Sequence, residues 1–226
     1  MAIITGDLAA SMANEIIFNS NFPAPIIIKA LSKLQEIVYV TIPGEMLDVV
    51  MEYRGNASEE EILNMYDGKT ARYTFEGPLQ LGAVLAGGNE DALNRLSEYS
   101  INVGRAFQIR DDILGIFGEE KKLGKPVGSD IIEGKQTLLV NKILQLGDKD
   151  LKEVVDRLLG KKDLTEEELE EFKKALMGSG AYDYCQNLSK KMIAKALETL
   201  DGFEFKNEES KMFLQGLANY IIERQL

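Results

Sequence analysis

The sequence predicts an all-α fold for its 226 residues. Apolar residues recur at intervals of three and four through nearly the whole chain, the spacing that places side chains on one face of an α-helix. They make up 45 % of the composition, which is enough for the core of a globular protein. No fixed-period repeat, low-complexity tract or linker divides the chain, so we expect a single helical domain over residues 1–226.

Prolines mark the limits of the first two predicted helices. The first helix covers residues 2–20 and ends before Pro23, because proline disfavours the helical conformation in the residue that precedes it. The second covers residues 26–54. Pro43 falls inside it and should kink or split it, because proline lacks the N–H that the helical hydrogen bond requires.

A capping box marks the start of the third predicted helix. Ser58 and Glu61 stand three positions apart, as the two reciprocal capping residues do. Gly77-Pro78 should distort this helix before it ends near residue 86. Residues 118–128 are rich in glycine and lysine and are predicted as a loop. The remaining predicted helices cover residues 89–117, 130–146, 149–159, 165–177, 182–200 and 207–224.

The composition excludes several classes of function. The net charge of −11 argues against a nucleic-acid partner, since phosphate backbones are bound by a surplus of Lys and Arg. The chain has no histidine, so imidazole chemistry is excluded and any metal must be held by oxygen ligands, as Mg²⁺ prefers. Cys185 is the single cysteine, so no intrachain disulfide forms and a cytoplasmic location is expected. No apolar stretch reaches the ~18 residues that a membrane span requires.

The most distinctive motif is the segment Phe107-Gln-Ile-Arg-Asp-Asp-Ile-Leu-Gly115. Gln108, Asp111 and Asp112 lie at i, i+3 and i+4, so they share one face of a helix. Two adjacent carboxylates within an apolar stretch are costly to bury without compensation. From these residues alone, a divalent cation and an ion pair with Arg105 or Arg110 are equally good compensators.

Three lysines are candidates for binding a phosphorylated ligand. Lys125 and Lys135 stand in a glycine-rich loop directly after the acidic helix, although a solvated surface loop is the more common role of such a segment. Lys69 follows Gly68 within a predicted helix, where a surface position explains it equally well. Gly-Lys-Thr at this point is not a phosphate-binding P-loop, because the upstream glycine is replaced by Leu63. Asp48, among apolar neighbours, is most simply one half of a buried ion pair.

Taken in chain order, these segments resemble the C-terminal two-thirds of the trans-isoprenyl diphosphate synthase (polyprenyl synthetase) family, most closely its archaeal geranylgeranyl diphosphate synthases. The ordered set of motifs favours a functional interpretation of each over the structural alternatives. The matching segments are Gly44-Glu-Met-Leu-Asp48 with the family's Gly-Gln-x-x-Asp, Lys69-Thr70 with its Lys-Thr pair, Phe107–Asp112 with its second aspartate-rich motif, and Lys125, Asp130 and Lys135 with its Gly-Lys…Asp…Gly-Lys loop.

The resemblance implies an isoprenoid synthase-type helical bundle around a central cavity, usually as a homo-oligomer. It implies that three Mg²⁺ ions hold an allylic diphosphate and that isopentenyl diphosphate attacks the allylic cation, giving a product longer by one isoprene unit. Asp111 and Asp112 would ligate Mg²⁺ by this resemblance. The diphosphate would be bound by Lys69, Lys125 and Lys135 with Asp48 behind them, and the reacting carbon would be lined by Gln108 and Thr70.

The sequence departs from the family pattern at three points. Gly115 replaces the third aspartate of the second motif, and Glu45 replaces a glutamine. The first Asp-Asp-x-x-Asp motif of the family, with its isopentenyl diphosphate site, has no counterpart in these residues. We therefore expect the missing N-terminal helices to come from a small companion chain, and we expect the isolated chain to be prone to aggregation.

Two alternatives to the companion chain stay open at this stage. The chain is then either a truncated synthase or a non-catalytic diphosphate-binding or regulatory homologue. A terpene cyclase shares the architecture, but the Lys-Thr pair and the Gly-Lys loop fit chain elongation better. Product length, preferred allylic substrate and the partner's identity do not follow from the sequence.

Overall fold

The structure is a computed structural model that describes residues 1–119 and 126–223, and the regular structure within these residues is helical throughout, which confirms the predicted all-α class. In chain order the helices are α1 (Ala2–Phe18), α2 (Ala24–Arg54), α3 (Glu59–Tyr66), a π-helix (Asp67–Glu76), α4 (Gly77–Leu85), α5 (Glu90–Phe117), α6 (Ser129–Glu133), α7 (Leu138–Leu146), α8 (Lys149–Leu158), α9 (Glu166–Gly178), α10 (Ala181–Asp201) and α11 (Glu208–Glu223).

The first two helices lie at the edge of the bundle. α1 is mostly apolar, with Asp7 and Glu15 as its only charged residues. It is nevertheless almost entirely exposed, and Ile17 is its single buried residue. α2 packs along the π-helix and α4 and runs through Pro43 as one helix, so Pro43 does not split it. This packing stabilises α2 across the position where proline cannot donate a backbone hydrogen bond.

The predicted capping box is present at the start of α3. The Ser58 hydroxyl accepts a hydrogen bond from the Glu61 N–H at 3.2 Å, and the Glu61 carboxylate accepts one from the Ser58 N–H at 2.8 Å. Each side chain therefore satisfies a backbone donor that the first turn of a helix leaves without a partner.

The distortion expected at Gly77-Pro78 lies earlier in the chain. Residues Asp67–Glu76 are wound as a π-helix, whereas Gly77-Pro78 begins α4. Proline is tolerated there because the N–H groups of a first helical turn have no partner within the helix in any case. π-helical turns are rare and are frequent at functional sites, and this one carries Lys69 and Thr70.

Two glycines bring the π-helix unusually close to its neighbours. A Cβ atom on Gly44 of α2 would lie 2.4 Å from the backbone nitrogen of Lys69, and one on Gly104 of α5 would lie 2.4 Å from the Cα atom of Ala71. No side chain fits in either space, so the backbones approach as closely as only glycine permits. This packing fixes the π-helix between α2 and α5.

Helix α5 is the centre of the bundle and packs against both the π-helix and α10. Its buried residues include Val103, Ile109 and Ile113, which belong to the main apolar core. Tyr99 is fully buried, and its hydroxyl donates a hydrogen bond to the carbonyl oxygen of Leu214 at 2.7 Å, which connects α5 to α11. The position of α5 brings the acidic motif near its C-terminal end into the interior.

The predicted single helix over residues 130–146 is wrong, because the chain forms two helices there. Gly134 has a φ of 84°, which ends α6, and the Thr137 hydroxyl accepts a hydrogen bond from the Val140 N–H at 3.4 Å, which caps α7. The apolar pattern continues across the glycine and does not reveal the break. Lys135 and Gln136 lie in the segment between the two helices.

The later predictions agree more closely with the structure. The helices predicted over residues 149–159, 165–177, 182–200 and 207–224 correspond to α8–α11 to within one residue at every described end. Residues 120–125 of the predicted loop, and residue 224, lie outside the described residues. None of the helices in the described ranges combines the length and apolar character needed to cross a membrane.

Candidate active site

One cavity collects most of the residues that the sequence singled out. Its volume is about 200 Å³, and it opens between α2, the π-helix, α5 and the segment that joins α6 to α7. Six of the eight predicted site residues therefore meet in one place, although they come from four separate segments of the chain. The lining residues are Asp48, Met65, Tyr66, Lys69, Gln108, Asp111, Asp112, Asp130, Lys135, Gln136 and Thr137.

Asp112 is held by hydrogen bonds on both of its carboxylate oxygens. The Tyr66 hydroxyl donates to Oδ2, and the Gln108 side-chain amide donates to Oδ1 at 2.9 Å. The carbonyl oxygen of that amide accepts a hydrogen bond from the Thr70 hydroxyl at 2.7 Å. Thr70, Gln108 and Asp112 thus form one chain that connects the π-helix to α5.

Burial raises the pKa of Asp112 to about 7. The hydrogen bonds from Tyr66 and Gln108 oppose this effect, while the negative charges of Asp130 and Asp111 add to it. A carboxyl group in this position gains from a nearby positive charge, because such a charge favours the ionised form. The electrostatics of the cavity therefore favour a bound cation.

Lys69 is held by carboxylates of α2. Its Nζ atom lies 2.5 Å from the Asp48 carboxylate and 3.2 Å from that of Glu45. Burial acts to lower the pKa of Lys69, but the hydrogen bond and the charge of Asp48, reinforced by Glu45, raise it overall. The ion pair that residue types alone favoured for Asp48 is therefore present, and its partner is Lys69.

Lys135 is held in the same way by carboxylates of α6. Its Nζ atom lies 3.0 Å from Asp130 and 2.9 Å from Glu133. Burial opposes the charged form, but the hydrogen bond that Lys135 donates to Glu133 and the charge of Asp130 raise the pKa of Lys135. Both lysines are thus kept cationic at the cavity wall. Lys125, the third predicted lysine, lies outside the described residues.

Arg105 does not compensate the acidic pair. Its guanidinium group binds Asp67 with two hydrogen bonds of 2.6 Å each, which joins α5 to the start of the π-helix. The ion-pair alternative through Arg105 is therefore wrong for Asp112, whose oxygens are bound by Tyr66 and Gln108.

Sequence reasoning missed Tyr66, which is a principal contact of the acidic motif. Tyr66 precedes Lys69 by three positions, a spacing that would place the two on one face of an α-helix, and this is the only signal in the sequence that relates them. Its contact with Asp112 joins residues 46 positions apart. Asp130 was noted as part of the loop motif, but its role as the partner of Lys135 was not foreseen.

The donor set suits a hard divalent cation. Every candidate ligand is an oxygen of a carboxylate, amide or hydroxyl group, which Mg²⁺ prefers, and lysines line the same cavity, where they can bind the anion that such a cation accompanies. Among the described residues, no three Asp, Glu or Cys side chains stand close enough together to hold a metal ion by themselves. The residues described thus fit part of a magnesium site and leave ligand positions to other groups.

Solved structures first define the class of protein. A geranylgeranyl pyrophosphate synthase from Corynebacterium glutamicum, solved with isoprenyl diphosphate and magnesium, superimposes with a TM-score of 0.92 at 30 % identity and covers 99 % of this chain. The synthetase from Pyrococcus horikoshii gives a TM-score of 0.88 at 34 % identity over 99 % of this chain. The fold is that of an isoprenyl diphosphate synthase.

Sequence relatives and the family pattern give the particular family. The geranylgeranyl diphosphate synthase of Sulfolobus acidocaldarius is 36 % identical over 227 residues, covering 100 % of this chain, and a short chain isoprenyl diphosphate synthase of Methanocaldococcus jannaschii is 37 % identical over 226 residues. The polyprenyl synthetase family model matches residues 1–176. The chain belongs to the polyprenyl synthetase family.

The chain is shorter than these relatives. It spans 68 % of the length of the Sulfolobus enzyme and 63 % of the Corynebacterium chain, while those proteins match it over its whole length or nearly so. The relatives thus contain a substantial region that these 226 residues do not match.

Proposed function

We propose that this chain supplies the diphosphate-binding part of a Mg²⁺-dependent, short-chain trans-prenyl diphosphate synthase. The observation that carries the proposal is the cavity that Lys69 and Lys135 line together with Asp111 and Asp112. Positive lysines and acidic metal ligands in one site are the groups that bind a metal-complexed diphosphate. The similarity to geranylgeranyl and short chain isoprenyl diphosphate synthases supports a short-chain product such as geranylgeranyl or farnesyl diphosphate.

The reaction joins an allylic diphosphate to isopentenyl diphosphate. The allylic C–O bond breaks and its electron pair leaves with the diphosphate, the double bond of isopentenyl diphosphate forms a new C–C bond with the allylic cation, and a proton is lost. Asp111 and Asp112 would hold Mg²⁺, which would supply positive charge for the departing diphosphate. The Corynebacterium relative was solved with magnesium and isoprenyl diphosphate, which supports this proposal.

The lysines of the cavity would bind the diphosphate directly. Lys69 and Lys135 are held cationic by acidic neighbours, and Lys125 stands ten positions before Lys135 in the loop motif. Asp48 would act behind Lys69 by fixing the direction of its ammonium group. Ammonium groups in a partly desolvated site stabilise phosphate charge more strongly than they do in water.

Gln108 and Thr70 would face the reacting carbon of the allylic group. Their side chains are joined by a hydrogen bond of 2.7 Å, so each fixes the orientation of the other. Their oxygen lone pairs would stabilise the positive charge that develops as the C–O bond breaks. This role depends on orientation, because a dipole pointing the wrong way would raise the barrier.

A companion polypeptide would complete the site, as the exposed apolar surface of this chain suggests. Five large side chains of α2 recur at spacings of three and four, and each is more than half exposed: Tyr39, Ile42, Met46, Val49 and Tyr53. This spacing is that of a helix–helix seam. Val49 and Tyr53 line a groove that also includes Gln136 of the cavity wall, so a helix bound there would border on the site.

A tagged pull-down of the chain from its native source, followed by mass spectrometry, tests this arrangement. We expect a stoichiometric small polypeptide that contains an Asp-Asp-x-x-Asp motif. Both recombinant chains together should then elongate an allylic diphosphate with labelled isopentenyl diphosphate in a Mg²⁺-dependent manner, and neither should do so alone. Recovery of this chain without any such polypeptide would contradict the split enzyme.

A non-catalytic diphosphate-binding homologue is the second candidate. The observation in its favour is that no three acidic side chains meet as a metal site among the described residues. Such a protein would bind Mg²⁺ and pyrophosphate but would show no elongation with any partner that it recruits. Homo-oligomerisation and a cytoplasmic location stay predictions from the sequence.

A further inference from the structure

Tyr66 connects three helices at the cavity through one hydroxyl group. It is the last residue of α3, directly before the π-helix, and its side chain is 1 % exposed. The hydroxyl donates a hydrogen bond to Oδ2 of Asp112 on α5 and accepts one from the N–H of Leu138, the first residue of α7, at 3.2 Å. The tyrosine oxygen thus has two partners of different kinds, since Asp112 accepts a hydrogen bond from it and Leu138 donates one to it.

The bond to Asp112 controls the direction of its carboxylate. With Gln108 bound to Oδ1, both oxygens have a fixed protein partner. An ionised carboxylate has about four lone-pair positions, so two remain for a cation once Tyr66 and Gln108 are counted. Without the tyrosine hydroxyl, the carboxylate could rotate and those two positions would no longer point in one direction.

The bond to Leu138 fixes the segment that contains Lys135. The first N–H groups of a helix have no partner within the helix, and Tyr66 satisfies that of Leu138. Lys135 and Gln136 stand three and two positions before Leu138 and line the same cavity as Asp112. The position of the lysine and the orientation of the carboxylate therefore depend on one buried hydroxyl group.

We propose that Tyr66 is a positioning residue that aligns the Asp112 carboxylate with the Lys135 segment, so that a divalent cation and the diphosphate it accompanies are bound together. The inference rests on the proposed function and adds to it a residue that the resemblance did not supply. Residues behind a metal ligand commonly change metal affinity by about 10–100-fold when they are altered.

Tyr66→Phe tests the proposal in the 226-residue chain, with inorganic pyrophosphate as the probe. Equilibrium dialysis of labelled pyrophosphate over a Mg²⁺ titration measures binding without turnover, and self-association of the chain does not disturb it. We expect the Mg²⁺ concentration for half-maximal binding to rise about tenfold or more. The amount of pyrophosphate bound at saturating Mg²⁺ should stay the same.

Tyr99→Phe is the matched control. Tyr99 is also fully buried and also donates its hydroxyl to one partner, the Leu214 carbonyl oxygen, but it lies outside the cavity. The substitution Tyr99→Phe should lower the melting temperature without changing the Mg²⁺ concentration needed for half-maximal binding. A Mg²⁺ requirement that rises equally in both variants would overturn the proposal, because the effect would then be one of general stability.

A second readout follows the Leu138 amide directly. Hydrogen exchange measured by NMR should become faster at Leu138 in Tyr66→Phe and stay unchanged in Tyr99→Phe. If the wild-type chain binds Mg²⁺ and pyrophosphate and Tyr66→Phe binds them identically, this inference fails while the proposed function stands. If the wild-type chain binds neither, the candidate site itself is wrong and the role of Tyr66 falls with it.

Discussion

At the scale of single residues, the site depends on pairs that the sequence does not place next to each other. Lys69 is held by Asp48, 21 positions away, and Tyr66 by Asp112, 46 positions away. The residue types of the motif identified Asp48, Lys69, Gln108 and Asp112 as candidates. Which of them touch is decided by the crossing of helices, because separations of this size carry no fixed distance.

Lys135→Met should weaken pyrophosphate binding in the presence of Mg²⁺. The lysine is cationic and lies in the cavity wall. Since a hydrogen bond to a charged group contributes about 2 kcal/mol, the affinity for pyrophosphate should fall roughly thirtyfold. Equilibrium dialysis measures it. Lys149→Met, at a position 87 % exposed on α8, is the control and should leave binding unchanged. Equal binding by both variants would remove Lys135 from the site.

At the scale of elements, close helix contacts explain how the π-helix is positioned. Gly44→Ala should destabilise the chain by about 1–3 kcal/mol, because its Cβ atom would lie 2.4 Å from the Lys69 nitrogen and 2.6 Å from the Gly68 carbonyl carbon. Urea unfolding monitored by circular dichroism measures the change. Both clashing atoms belong to the backbone, so no rotation of a side chain relieves them.

Gly82→Ala provides the matched comparison within α4. Nothing lies within 4 Å of a Cβ atom built there, so the substitution should raise the free energy of unfolding by up to about 1 kcal/mol through the better helix propensity of alanine. Destabilisation of the same size at Gly44 and Gly82 would show that the contact between α2 and the π-helix is looser than described.

The capping box of α3 makes a prediction about pH. Backbone and side-chain hydrogen bonds from Ser58 and Arg54 lower the pKa of Glu61 from 4.5 to about 2. A group whose pKa is lower in the folded state stabilises above its unfolded pKa and ceases to do so as pH falls through the folded value. The melting temperature of the wild-type chain should therefore exceed that of Glu61→Gln at pH 7, and the difference should shrink steadily below pH 4.5.

The control for the capping box lies in the same helical turn. Glu60→Gln removes a neighbouring negative charge. It alters neither of the two capping hydrogen bonds, because both of them join Ser58 and Glu61. Its melting temperature relative to the wild-type chain should vary little over the same pH range. A difference between wild type and Glu61→Gln that is constant from pH 7 to pH 3 would contradict the assignment.

At the scale of the whole molecule, α1 and α2 expose more apolar surface than an isolated protein usually does. Ile42 is 55 % exposed and Val49 is 66 % exposed, and both belong to the seam of α2 described above. Exposed patches of this kind mark interaction surfaces and aggregation sites. The isolated chain should therefore self-associate, as the sequence already indicated.

Ile42→Lys combined with Val49→Lys should reduce that self-association. Sedimentation velocity should show a shift toward the monomer, because two charges in the seam are costly to bury in any apolar contact. Phe213→Lys is the control, since Phe213 is 67 % exposed on α11, away from α2, and should leave the distribution unchanged. A monomeric wild-type chain with a sharp melt at high temperature would contradict the expectation.

The helical class, the capping box of α3 and the chemistry of the site follow from the sequence, because they depend on local spacing and residue type. Gln108, Asp111 and Asp112 share a face in any α-helix. A serine that is followed three positions later by a glutamate can cap the start of a helix, as Ser58 and Glu61 do. The order of the motifs along the chain was sufficient to indicate the family to which the chain belongs.

The tertiary structure alone decided how those elements meet. The π-helix, the break at Gly134 and the contact between Tyr66 and Asp112 each depend on backbone approach or on partners distant in sequence. Local periodicity cannot distinguish a helix that continues from one that ends at a left-handed glycine, nor can it say which buried hydroxyl finds which carboxylate. Those choices are made by close packing, in which the whole set of neighbours determines each position.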